Sequence, residues 1–158
     1  MDLIGLEILR QELAADAKVV AGAVQQARDH VNRDAPGRLE ACAYELHRGY
    51  NVIERALERL CEAFENHFER RGEYHERLLE RMTLDLPGLR PAFLPIGARQ
   101  LLREWKGFRH VVRHAYDLEI DPARLTRMCG VAAEVAAQFP GWCSRFLSHV
   151  EDALDRCE

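Results

Sequence analysis

Two residue types in one short stretch have the chemistry to break a phosphodiester bond. Arg109 and His114 stand five apart in the run FRHVVRHAY, Phe108 to Tyr116. When RNA is cleaved without a metal, the ribose 2′-hydroxyl attacks the adjacent phosphate. A base must take its proton, and an acid must protonate the departing 5′-oxygen. An imidazole does either near neutral pH. The phosphorane between them gathers negative charge, which a fixed bidentate guanidinium stabilises better than a mobile ammonium. His110 offers a second imidazole. Its spacing of four from His114 also suits a zinc pair, but no third ligand and no intervening glutamate accompany it, so no metal is expected.

Spacing limits how these groups meet. On a regular helix, five residues turn the chain through about 500°, which leaves positions 109 and 114 roughly 140° apart. Arg109 and Tyr116, seven apart, return to within about 20° of one another, and His110 and His114 are neighbours. Convergence of Arg109 with His114 therefore needs a long reach, a distorted helix end or a second subunit.

The element that must carry them is read as one helix ending in Arg99 to Tyr116. Leu101, Leu102, Trp105, Phe108, Val112 and Ala115 recur at three- and four-residue spacing, the pattern of a buried face, so Trp105 and Phe108 are expected in the core. Between them Arg99, Arg103, Lys106, Arg109 and Arg113 oppose one acid, Glu104, in a protein whose net charge is −4. A basic strip in an acidic protein implies a local anion site, since general attraction to polyanions would need a basic molecule. Arg113 and Asp117, four apart, fit either an ion pair or a phosphate contact.

The other elements follow from periodicity. Leu6, Leu9, Leu13, Ala17, Val20, Val24, Ala27 and Val31 predict a helix over residues 2 to 31, closed by a turn at Asn32 to Gly37. Leu39 to Phe68 carries a second stripe, interrupted at Gly72. A short helix around Glu73 to Met82 contains His75, and a proline-rich loop spans Leu84 to Ala92. Pro95 suits the first turn of the strip helix, and Asp121-Pro122 reads as an N-cap with proline at N1. The helix it opens is expected to run to about Gln138. Pro140-Gly141 is expected to break or kink it before a last helix marked by Trp142, Phe146, Val150 and Leu154. No segment alternates with a period of two. The expectation is a single all-α domain over residues 1–158, an up-and-down bundle of five to six helices.

Bulk properties agree. A charged content of 30 % beside 47 % apolar residues suits a folded helical protein rather than a disordered one. Charge breaks every long apolar run, and the N-terminus has acids where a signal peptide needs bases, so a cytoplasmic protein without membrane contact is expected. The five cysteines, Cys42, Cys61, Cys129, Cys143 and Cys157, are odd in number and scattered, and are read as buried reduced thiols.

The run Arg109 to Tyr116 has the form R-x-x-x-x-H-x-Y, which resembles the motif of the HEPN superfamily as carried by HepT-like toxins. YNVIER (Tyr50 to Arg55), EYHERLLERM (Glu73 to Met82), RPAFL (Arg90 to Leu94) and FRHVVRHAYD (Phe108 to Asp117) fall in an order similar to that family. The resemblance implies a metal-independent endoribonuclease toxin of a type II toxin–antitoxin system, without a cofactor, whose RNA substrate enters a cleft between two copies. Arg109 and His114 would be catalytic. His110, Arg113, Asp117 and His75 would support them, with His110 standing where many members carry a polar residue such as Asn. Tyr116 resembles the acceptor that a partner minimal nucleotidyltransferase antitoxin AMPylates. The same resemblance also fits an inactive HEPN module that binds nucleotide or RNA beside such a partner.

Overall fold

A computed structural model describes residues 2–65, 74–114 and 120–156, with 109–114 described by their backbone alone. Phe68, Gly72, Glu73, Ala115, Tyr116, Asp117 and Cys157 lie outside the described residues. Among the described residues five helices follow in chain order: α1 (Leu3–Asn32), α2 (Arg38–Glu65), α3 (Tyr74–Met82), α4 (Ile96–His114) and α5 (Pro122–Asp155). Among the described residues there is no strand, only an isolated bridge between Leu86 and Arg90. The protein is an all-α bundle.

Asp2 starts α1 by accepting a 2.8 Å hydrogen bond from the Gly5 N–H, which occupies one of the donors a helix start leaves unpaired. The stripe from Leu6 to Val31 is buried along its length. Gly37, at φ +73°, supplies the left-handed turn that sends the chain back. α2 then runs antiparallel to α1, with Arg59 reaching Glu12 and Asp16 at 3.2 and 2.6 Å. At the other end Arg38 donates to the Val31 carbonyl.

Asp121 caps α5 through a 2.9 Å bond from the Ala123 N–H, with Pro122 in the first turn. This helix lies antiparallel to α1, since Arg10 meets Glu151 at 3.0 Å. It runs parallel to α2, with Cys129 beside Cys42 and Phe146 edge-on to Phe64. Pro140 falls inside α5 and does not end it, so the expected penultimate and last helices are one. An internal proline removes one hydrogen bond and costs about 3 kcal/mol. Phe139, Trp142, Cys143 and Phe146 on both sides of it are all buried, and burial of each aromatic returns roughly 2 kcal/mol. Packing outweighs the local penalty.

Between α3 and α4 the loop is tied by Arg90, which is 3 % exposed. Its guanidinium donates to Glu65 and to the carbonyls of Arg81, Leu84 and Pro91 at 2.8 to 3.1 Å. Arg81 also pairs with Glu65. The loop then places Phe93 edge-on against Phe139 and Phe146. Pro95 precedes α4 rather than entering its first turn, and its carbonyl accepts from Ala98.

Candidate functional site

α4 is seated on α2 by Trp105, whose ring is fully buried. Its Nε1 donates to the Leu46 carbonyl at 3.0 Å, and its ring meets Tyr50 edge-on at 5.9 Å. Gly49 makes room for it, because a Cβ there would stand 3.0 Å from Cζ2. Phe108 is buried as well. Both aromatics are core, as the spacing predicts, and neither is free to stack on a base.

The helix continues through His114, so its backbone fixes the register of the motif. Position 109 lies within about 40° of buried Leu102 and Trp105, in line with the core stripe. Positions 110 and 114 lie within about 20° of Arg103, in line with the stripe that faces α3 lower down. Arg109 and His114 thus sit on different sides of one regular helix, as five-residue spacing requires. Arg113 follows on the same helix; Tyr116 and Asp117 are beyond the described residues.

The lower half of the basic strip is not an open anion site, and here the sequence expectation needs correction. Glu76 of α3 receives Arg99 and Arg103 at 3.0 Å each, with Lys106 at 3.7 Å. Arg99 also stands 3.8 Å from Glu80. Three of the five bases are therefore already met by a carboxylate from another helix. Burial on its own would raise the Glu76 pKa, but the Arg99 hydrogen bond and the charges of Arg103 and Lys106 outweigh it and hold the carboxyl below its ordinary value. Glu104, the strip's own acid, is taken by Arg127 of α5 at 2.8 Å.

His75, the residue before Glu76, turns toward α2. Its Nδ1 stands against the Glu54 carboxylate, and its ring is edge-on to Tyr74. Since Glu76 meets α4 around Arg103, His75 is level with the middle of that helix. His114 lies eleven residues further along, about 16 Å at 1.5 Å per residue. The fold does not bring His75 beside His114 within one chain. Among the described residues no group of three His, Cys, Asp or Glu side chains is placed to hold a metal.

Sequence reasoning did not find Glu76 as the strip's counter-ion, because its partners lie 23 to 30 positions away and only the α3–α4 packing brings them together. It also gave Arg90 no role, although the residue opens one of the blocks that carry the family resemblance.

Residues 41–150 match the family described as HepT-like protein. The chain belongs to this family. Comparison with curated proteins and with solved structures gave no match. The HepT-like match spans most of α2, all of α3 and α4, and α5 as far as Val150, and so includes the whole R-x-x-x-x-H-x-Y stretch. Membership places the chain among HEPN-type toxins and their related modules, in a toxin–antitoxin context. Among the described residues no helix is long and apolar enough to cross a membrane.

Proposed function

We propose that this HepT-like chain is a metal-independent endoribonuclease, the toxin of a type II pair, acting through Arg109 and His114. The observation that carries the reading is the family match over residues 41–150, which contains the full Arg109, His114 and Tyr116 set. In this reading His114 moves the protons of the transesterification and Arg109 meets the phosphorane charge. His110, one helical turn before His114, supports it, and Arg113 with Asp117 borders the phosphate path. His75, engaged with Glu54, would join His114 only from the second copy. The 140° between positions 109 and 114 favours a homodimer, in which each copy completes the other's cleft. Tyr116, seven residues after Arg109 in the chain, is the acceptor for AMP from a minimal nucleotidyltransferase antitoxin; a phosphate and nucleoside there would neutralise the arginine and fill the site. No cofactor is required, and the protein works in the cytoplasm.

The test is incubation of purified protein with total RNA and a defined tRNA pool in the presence of EDTA. Wild type is expected to leave 2′,3′-cyclic phosphate ends, and Arg109→Ala or His114→Ala to lose about 10²–10⁴-fold in rate with unchanged circular dichroism. Cleavage that persists in both variants overturns the assignment. An inactive preparation carrying an added adenylyl mass on Tyr116 is the silenced toxin, and removal of that group should restore cleavage. An inactive preparation without it refutes the nuclease reading and leaves a binding module.

A further inference from the structure

Two of the buried thiols are in contact. Cys42 in the first turns of α2 and Cys129 in the second turn of α5 place their sulfurs 3.6 Å apart, although they stand 87 positions apart in the chain. A disulfide needs about 2.05 Å, so the two sulfurs have roughly 1.5 Å to close. Their access to solvent differs. Cys42 is fully buried, and Cys129, itself only 4 % exposed, lines a pocket of about 270 Å³ together with Arg28, Val31, Asn32, Thr126, Gly130 and Ala133. An oxidant small enough to enter that pocket meets Cys129 and not Cys42.

We propose that Cys42 and Cys129 are a peroxide-reactive thiol pair, in which Cys129 is oxidised from the pocket and Cys42 then closes a disulfide that fastens α5 to α2. The Cys129 thiolate attacks one oxygen of hydrogen peroxide, breaking the O–O bond; hydroxide leaves, and with the thiol proton becomes water. Cys129 is now a sulfenic acid. The Cys42 sulfur attacks it, the S–O bond breaks, and the departing hydroxide takes the Cys42 proton as a second water. Two thiols and one peroxide give one disulfide and two waters. A small thiol reverses the bond by exchange.

The surroundings support this order of events. The hydrogen bond with Cys42 and the charge of Arg28 favour the Cys129 thiolate against the opposing effect of burial. The same hydrogen bond and burial disfavour ionisation of Cys42. Burial pushes Cys61 and Cys143 up to about 12, which makes them unreactive bystanders. Cys129 lies seven residues beyond Pro122, so the bond would clamp the part of α5 that follows the motif-bearing segment. The inference does not depend on nuclease activity.

The experiment treats the reduced full chain with hydrogen peroxide and maps it by mass spectrometry after non-reducing digestion. The expected product has lost two hydrogens, carries a Cys42–Cys129 cross-linked peptide, melts on the order of 10 °C higher than the reduced chain, and returns to the starting mass with dithiothreitol. In Cys42→Ala the cross-link is absent and dimedone traps a sulfenic acid on Cys129. Thiols unchanged by millimolar peroxide, oxidation of Cys129 to sulfinic acid without a cross-link in the wild type, or cross-linking through Cys157 instead would each overturn the pair. The wild-type map decides the question even where Cys42→Ala fails to fold.

Discussion

Gly49→Ala is expected to destabilise the protein, although the same change in an open helix interior stabilises. The helix gains about 0.5–1 kcal/mol when Gly becomes Ala. Against this, the new methyl would stand 3.0 Å from Trp105 Cζ2, 3.2 Å from Cη2 and 3.5 Å from the Ala23 Cβ. The indole must retreat by several tenths of an ångström, yet it is fully buried and held by the Leu46 carbonyl and the Tyr50 edge. Overpacking of this kind costs about 1–3 kcal/mol. The net loss is then about 1–2 kcal/mol, or a Tm lower by about 2–8 °C for a chain of this size. Denaturant titration of four proteins measures it: wild type, Gly49→Ala, Trp105→Phe and the double variant. Phenylalanine lacks the two outer ring atoms that meet the methyl, so in that background Gly49→Ala should change sign and stabilise by up to about 1 kcal/mol. An identical effect of Gly49→Ala in both backgrounds would refute the claim that the close contact, rather than helix propensity, decides this position.

Arg90→Met should cost about 3–5 kcal/mol, because it leaves the buried Glu65 carboxylate with Arg81 alone and takes a donor from three backbone carbonyls, two in the loop and one at the end of α3. Arg90→Lys should recover only part of this, since a single ammonium cannot reach the planar set of acceptors; equal stability of Lys and Arg in urea melts would count against the network. Glu76 gives a pH-dependent prediction. Its folded pKa is depressed, so its contribution is complete above its ordinary value near 4.5 and disappears as pH falls through the folded value. The stability gap between wild type and Glu76→Gln should therefore be visible at pH 7 and shrink below pH 4. A gap that is constant with pH would show that the charges of Arg99, Arg103 and Lys106 do not act on it.

Local signals explain what was legible. Asp121-Pro122 marks a helix start by chemistry that acts within three residues, and the Leu6 to Val31 stripe needs only a period of 3.6, so both were readable and both hold. Pro140 misled for the complementary reason. Its penalty is local and visible, whereas the burial of Phe139 and Phe146 that overrides it depends on α1, α2 and Phe93 being nearby. The motif helix was readable through Trp105 and Phe108, and so was the angular separation of Arg109 from His114. What the strip's charges do was not. Glu76, Glu65 and the Cys42–Cys129 contact are products of tertiary packing, and a reading one helix at a time counts the bases of α4 without the acid that α3 lays across them.

The placement of α1 has a consequence for synthesis. Helix α1 is packed against α5, which is made later, with Arg10 meeting Glu151 and the far end of α1 lying beside Cys129. At about 5–20 residues per second, the ribosome takes on the order of ten seconds to add the chain between Asn32 and Asp155. Through that interval the Leu6 to Val31 stripe has α2 to pair with but not α5, and the Phe93 cluster lacks Phe139 and Phe146. The bundle can close only when α5 has emerged, so a nascent chain that stops short of α5 has no complete core on which to present the motif.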